Sequence, residues 1–170
     1  MNTSLKNVII GIALIIATVI AYLLFNANQS AITDIQFTDI DGQQHQLSDY
    51  QGQASLVIFW ATDCPGCIKE MPSLVELYHD YSDNLQMIGV AMPHDTLEHI
   101  QAMRETKQIP YTLTWDKEGA ITEAFNQVRV TPTHFLISAE GKIVMRKIGE
   151  IPMTQLKQRL AAMGVEPNNG

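Results

Sequence analysis

The chain has 170 residues, of which 46% are hydrophobic and 17% charged, a composition typical of one globular domain with a short extension. It carries 11 basic and 18 acidic side chains, giving a formal net charge of −7 at pH 7. Because no basic cluster is available to neutralise phosphates, we expect no nucleic-acid partner.

The N-terminal region contains an uncharged apolar run, VIIGIALIIATVIAYLLF, over residues 8–25. This length is near the lower limit for a membrane-spanning helix and too long for a typical signal-peptide core. Lys6 precedes the run and the next basic residue is Lys69, so the positive-inside bias leaves residues 1–7 in the cytoplasm. The sequence therefore predicts a single-pass anchor in the bacterial cytoplasmic membrane with a periplasmic domain, and a cleaved signal is the alternative.

The remaining chain divides into a polar tether over residues 26–33, a folded domain over 34–163 and a flexible tail over 164–170. The domain opens with IQFTDIDGQQHQL, two short strand-like runs around the turn signal Asp41-Gly42. Ser55 to Trp60 is a continuous apolar run rich in β-branched and aromatic residues, as expected of a buried central strand.

The later elements alternate between strand and helix before the chain ends in a strand pair and a helix. We predict strands at 85–92, 111–114, 134–138 and 142–148, and helices at 96–107, 120–126 and 152–163. Strand–helix–strand order favours parallel pairing, whereas the last two strands, which turn at Glu140-Gly141, are antiparallel. The expected fold is therefore α/β with a mixed central sheet.

The only cysteines, Cys64 and Cys67, form a C-x-x-C pair where a helical pattern begins after the central strand. A ring this small adds little stability, so the pair is better explained by chemistry than by cross-linking. The helix N-terminus stabilises a thiolate at Cys64, which then attacks a disulfide, and Cys67 resolves the mixed disulfide. Pro65 and Gly66 restrict the turn between them and help to set the redox potential.

The segment VIFWATDCPGCIKEMPSL resembles the active site of thioredoxin-fold proteins, and more narrowly that of membrane-anchored TlpA/ResA/CcmG-like thiol–disulfide oxidoreductases. The similarity extends from about Asp34 to Leu160 and includes an insert over 93–126 and the tetrapeptide VTPT at 130–133. The resemblance implies a thioredoxin fold with an N-terminal hairpin and a TlpA-type insert. It also implies that the Cys64–Cys67 disulfide is the redox centre, with no other cofactor and no metal.

Carried over residue by residue, the resemblance makes Cys64 the attacking and Cys67 the resolving cysteine. It implies a cis Pro132 beside the disulfide, with Thr131 presenting backbone groups to an extended substrate. Glu70 matches an acidic residue of reductive relatives, which would exchange protons with the cysteines or adjust their pKa values. An ordinary solvated helix glutamate is the alternative for Glu70.

Two positions depart from the family pattern. Plain thioredoxins carry a buried acid where this chain has Ile58, which makes Glu70 the first candidate for a carboxylate helper. Asp63 replaces the usual aromatic residue before the first cysteine, and its charge should raise the pKa of Cys64, unless water screens it. His134 begins a strand, and both a position near the disulfide and one pointing away remain open.

The leading hypothesis is a reductase that acts on exported proteins with cysteines, including apocytochrome c, and that receives electrons from a transmembrane thiol–disulfide carrier. The main alternative is a copper-binding metallochaperone-like module, in which the cysteines would join soft ligands of the insert, namely Met92, His94, His99 and Met103. A peroxiredoxin-type peroxidase is disfavoured, because Ala61 and Val57 occupy the positions of its proline and threonine.

Overall fold

The computed structural model describes residue 7 and residues 9–22 and 35–168. Seven strands form two sheets: β1 (Gln36–Thr38), β2 (Gln44–Gln46), β3 (Ala54–Trp60), β4 (Leu85–Ala91), β5 (Thr112–Trp115), β6 (Thr133–Ile137) and β7 (Ile143–Ile148). Four helices follow the hairpin: α1 (Pro65–Tyr81), α2 (Leu97–Lys107), α3 (Ala120–Ala124) and α4 (Met153–Ala162). Most of these elements lie within two residues of their predicted bounds.

The central sheet has five strands in the order β5-β4-β3-β6-β7. Strands β3, β4 and β5 are parallel, whereas β6 and β7 are antiparallel to their neighbours. This arrangement confirms the predicted mixed α/β sheet. Strand β3 is the middle strand and all seven of its residues are buried, because other layers cover both faces of the sheet.

The two faces of β3 pack against different elements, since successive side chains of a strand point to opposite sides. On one face, the rings of Phe59 and Phe135 meet that of Phe125, which follows α3, at centroid distances of 4.9 to 5.8 Å. On the other face, Ile58 lies opposite His134 of β6 in the strand register. This second face carries helix α1 and therefore the cysteine pair.

The N-terminal hairpin β1–β2 is antiparallel and attaches to the outer strand β5. The Thr114 hydroxyl donates to the Thr38 carbonyl at 2.7 Å, and the Ile40 N–H donates to the Leu113 carbonyl at 2.9 Å. Gly42 has a φ of +86°, a left-handed conformation that its turn requires and that glycine adopts without steric cost. The predicted turn at Asp41-Gly42 is therefore present.

No helix among the described residues is long and apolar enough to cross a membrane. This finding contradicts the predicted location in the bacterial cytoplasmic membrane with a periplasmic domain, which is wrong. The predicted anchor at 8–25 falls partly, and the tether at 26–33 wholly, outside the described residues.

The C-terminal residues 164–168 contact the end of α1. Asn168 donates from its side chain to the His79 carbonyl at 2.9 Å and accepts from the Asp83 N–H at 3.0 Å. Val165 is buried. The side-chain amide of Asn168 thereby satisfies backbone groups left open where α1 ends, and the flexible tail predicted for 164–170 stays a prediction. Residues 169 and 170 lie outside the described chain.

Candidate active site

The two cysteines form a disulfide at the start of α1, with their Cα atoms 5.3 Å apart. Cys64 is the N-cap residue, and its sulfur accepts a hydrogen bond from the Cys67 N–H at 3.2 Å. Pro65 occupies the first turn, where its missing N–H is not needed. Cys64 is 9% exposed and Cys67 is 1% exposed, so Cys64 is the more accessible residue of the pair.

The loop between β3 and Cys64 is fixed by a buried carboxylate. Asp95, in the loop after β4, accepts hydrogen bonds from the Thr62 N–H at 2.7 Å and from the Thr62 hydroxyl at 2.8 Å. Sequence analysis missed Asp95. The strand order could have predicted this contact. Thr62 follows β3 and Asp95 follows the parallel strand β4, and residues that follow neighbouring parallel strands meet at the same edge of a sheet.

The segment before β6 lies against the cysteine turn. The Thr131–Pro132 peptide bond is cis, as the resemblance implied. A Cβ atom added to Gly66 would lie 3.4 Å from Pro132 Cδ, so the Gly66 backbone and the proline ring are close neighbours. Thr131 lies just outside the β3–β6 ladder and Val130 is exposed. The substrate-binding roles of Thr131 and Pro132 stay predictions.

Glu70 points into the protein rather than into solvent. One carboxylate oxygen lies 2.8 Å from His134 Nε2, and the other accepts from the Ile151 N–H at 3.2 Å. Both side chains of the Glu70–His134 pair are buried. The alternative of a solvated helix glutamate is thereby excluded, and His134 is placed on the face of the sheet that carries α1.

Tyr111 is a buried aromatic residue close enough to Glu70 to feel its charge. Burial raises the pKa of Tyr111, and the nearby Glu70 charge raises it further. Trp60 is also buried. Gly89 leaves room for both rings and for Leu113, because an added Cβ would lie 2.6 Å from Leu113 Cδ2 and 3.1 Å from Trp60 Nε1. The region behind the cysteines is therefore tightly packed.

The outer side of the site carries exposed charges. Asp63 Oδ1 lies 3.4 Å from His94 Nε2, with both side chains largely exposed. Lys69 bridges to Glu150 at 2.8 Å, also at the surface. The predicted tuning of Cys64 by Asp63, Pro65 and Gly66 stays a prediction, and the structure adds His94 as a neighbour of Asp63.

The residues considered for copper follow β4 in the chain and differ in their surroundings. Met92 is buried, and His94 faces Asp63. Within residues 7, 9–22 and 35–168, no cluster of three or more histidine, cysteine or acidic side chains has the geometry of a metal site. His99 lies in the first turn of α2, where its N–H donates to the Thr96 hydroxyl that caps the helix.

The AhpC/TSA family matches residues 29–146 of the chain. The thiol–disulfide oxidoreductase ResA of one Bacillus cereus strain is 35% identical over 122 residues, which cover 71% of this chain and 69% of that protein. ResA of Geobacillus thermodenitrificans is 28% identical over 135 residues, which cover 79% of this chain and 76% of the relative.

Among solved structures, a putative thioredoxin from Neisseria meningitidis superimposes with a TM-score of 0.74 at 30% sequence identity. The match covers 79% of this chain and 89% of that one. A secreted disulfide oxidoreductase of Mycobacterium tuberculosis matches with a TM-score of 0.68 at 21% identity, over 76% of this chain and 96% of that one, a likeness of fold. The thioredoxin-like α/β fold is thereby confirmed.

Proposed function

Since the chain belongs to the AhpC/TSA family, and within it to the thioredoxin-fold ResA-like thiol–disulfide oxidoreductases, we propose that it reduces disulfides in cysteine-containing proteins. Cys64 attacks the substrate disulfide and Cys67 resolves the mixed disulfide. The unequal exposure of the two cysteine residues supports this division, because the attacking cysteine must meet a protein substrate.

The direction of electron transfer, reductase or oxidase, is inferred from the carboxylate near each cysteine. Asp63 directly precedes Cys64, and the buried Glu70 stands one helical turn beyond Cys67. A nearby negative charge opposes a thiolate, and a strongly oxidising dithiol needs a stabilised thiolate in its reduced form. Carboxylates at both cysteines therefore favour a reductase over an oxidase.

A reductase must itself be re-reduced after each turnover. We assign this step to a thiol–disulfide electron donor of the transmembrane carrier class, whose dithiol would attack the Cys64–Cys67 disulfide. Extended substrate segments would lie along Thr131 and Pro132, of which Pro132 borders the cysteine turn. The haem-site cysteines of apocytochrome c are the first substrate class to examine.

Peroxidase chemistry is a less suitable interpretation of the family match. The positions three and seven residues before Cys64 are Ala61 and Val57, and both are buried apolar side chains without a hydroxyl. They offer no hydrogen bond to a peroxide. Exchange between thiols and disulfides needs only the cysteine pair and a proton acceptor.

Trapping in intact cells of the source organism tests the proposal. In a Cys67→Ala variant, the mixed disulfide on Cys64 cannot be resolved, so substrate proteins should accumulate as adducts that thiol reductants release. The matched control is the Cys64→Ala/Cys67→Ala variant, which should trap nothing. Alkylation of the wild-type protein in acid-quenched cells should find the pair mainly reduced, and a mainly oxidised pair would contradict the reductase direction.

A further inference from the structure

The buried Glu70–His134 pair involves the same helix face of α1 that carries the resolving cysteine. Cys67, Glu70, Met71 and Leu74 are all buried residues of α1, at the spacing of a single helix face. Residues three apart on a helix have Cβ atoms about 5–6 Å apart, so the Glu70 side chain starts one turn beyond Cys67 on that face. Cys67 is 1% exposed, so bulk water has little access to its thiol.

We propose that His134 is a positioning residue for resolution: it holds Glu70 as an oriented carboxylate, ready to accept the Cys67 proton. This proposal rests on the proposed function. It makes the second step of that function, resolution by Cys67, depend on His134 of the distant strand β6. Resolution requires a Cys67 thiolate, and a buried thiol needs an acceptor inside the protein.

The hydrogen bonds around the pair favour one distribution of protons. If His134 carries its proton on Nε2, this N–H donates to Glu70 while the Ile151 N–H donates to the other oxygen, and Glu70 is a carboxylate. Nδ1 of His134 is buried with no hydrogen-bond partner among the described residues. A proton there would be a buried, unsatisfied donor, which proteins rarely tolerate. The Nε2–H tautomer is therefore favoured, and Glu70 is free to accept a proton.

Other groups face the pair from the surrounding elements. Tyr111, before β5, is buried, and the Glu70 charge raises its pKa, so it stays a neutral phenol. Lys147 of β7 lies opposite His134 in the strand register and is partly exposed. Ile58 of β3 is the other register neighbour of His134 and supplies no charge. Among these groups, Glu70 is the only carboxylate.

The Cys64 thiolate attacks one substrate sulfur, the substrate S–S bond breaks, and the released thiolate takes a proton from water. The Cys67 thiol gives its proton to Glu70, and the Cys67 sulfur attacks Cys64. The mixed disulfide breaks, the second substrate thiolate leaves, and two electrons have passed from the protein dithiol to the substrate. Glu70 later returns its proton to solvent or to Cys67 on re-reduction.

Stopped-flow reaction of the reduced protein with dithiobis(nitrobenzoate) separates the two chemical steps. Attack by Cys64 releases the first thionitrobenzoate, and resolution by Cys67 releases the second. The matched variants are His134→Gln, whose amide nitrogen replaces Nε2, and His134→Asn, whose amide nitrogen falls at the position of Nδ1 and cannot reach Glu70.

We expect His134→Asn to slow the second release by about tenfold or more while leaving the first within about twofold. His134→Gln should keep the second release within about threefold of wild type. In a Glu70→Gln background, His134→Asn should cause no further slowing, because His134 acts through Glu70. Equal second-phase rates in wild type and His134→Asn would overturn the proposal.

Nitrogen NMR of the wild-type protein gives a test that needs no variant to fold. We expect the His134 imidazole to show the Nε2–H tautomer. An Nδ1–H tautomer would mean that a protonated Glu70 donates to His134, which would also overturn the proposal. If reduced wild-type protein releases no second thionitrobenzoate at all, the proposed function fails instead, so the two failures are distinguishable.

Discussion

The Cys64–Cys67 pair is flanked by two carboxylate–histidine pairs that share their chemistry and differ in burial. Asp63 and His94 are 77% and 57% exposed and lie 3.4 Å apart. Glu70 and His134 are 5% and 0% exposed and lie 2.8 Å apart. Water and salt screen the interaction between Asp63 and His94. Glu70 and His134 interact in the low-dielectric protein interior, where removing one partner leaves the other as an uncompensated polar group. The surface pair should therefore adjust the chemistry of Cys64, and the buried pair should support both the fold and Cys67.

The largest expected contrast is in stability. Glu70→Ala leaves His134 Nε2 and the Ile151 N–H without their acceptor and opens a cavity, so we expect a loss of about 2–4 kcal/mol in the free energy of unfolding. The matched surface variant Asp63→Ala should change it by less than about 0.5 kcal/mol. Denaturant unfolding of the oxidised proteins measures both, and equal effects would remove the distinction between the pairs.

Packing behind the buried pair gives the next largest effect. Gly89→Ala places a methyl group 2.6 Å from Leu113 Cδ2 and 3.3 Å from Tyr111 Cε2, in a region where the neighbouring side chains have little room to move. We expect a loss of about 1–3 kcal/mol in unfolding free energy. Gly66→Ala is the control, because its added methyl would meet Pro132 Cδ at an ordinary contact distance of 3.4 Å. A Gly89→Ala variant as stable as Gly66→Ala would show that the packing is loose.

The stability of the protein at alkaline pH should depend on Tyr111, whose pKa is raised by burial and by the charge of Glu70. Burial and the Glu70 charge place the pKa of Tyr111 above its value of 10.0 in the unfolded chain. Its contribution to stability is therefore constant below about pH 10 and is lost as the pH rises further, because the unfolded chain releases the phenol proton first. Unfolding free energies measured from about pH 9 to about pH 11 should fall less steeply in Tyr111→Phe than in wild type. An unchanged slope would contradict this account of Tyr111.

The smallest expected effect concerns the surface pair. Asp63→Asn removes a negative charge beside Cys64, so the pKa of the Cys64 thiol should fall, by less than about one unit because water screens the charge. The pH dependence of iodoacetamide alkylation in reduced protein measures this value. The difference from wild type should shrink as salt is added. An unchanged or higher pKa in Asp63→Asn at low ionic strength would show that Asp63 does not adjust Cys64.

The fold was largely predictable because its elements have strong local signals. The apolar run that became β3, the helical spacing after Cys64 and the alternation of later strands and helices each placed an element within a few residues. The cis bond at Pro132 followed from the resemblance of its segment. The predicted membrane location was wrong, since no helix among the described residues is long and apolar enough to cross a membrane.

The site was predictable only in part. Cys64, Cys67 and Glu70 share one helix, so their spacing carried the information. His134 and Asp95 come from distant segments, and their contacts depend on strand register and loop closure, which local patterns do not determine. The replacement of the thioredoxin acid by Ile58 was visible in sequence. The sequence did not show that His134, which lies opposite Ile58 in the strand register, would bring a polar group to Glu70.

The most direct test of the central claim is a single turnover with a peptide disulfide, followed by mass spectrometry. Reduced wild-type protein should convert one equivalent of peptide disulfide into two peptide thiols and end with the Cys64–Cys67 disulfide. Cys67→Ala should stop with one peptide attached to Cys64, and Cys64→Ala should react far more slowly. Attachment of the peptide mainly to Cys67 in the reduced wild type, or no Cys64–Cys67 disulfide at the end, would contradict the account.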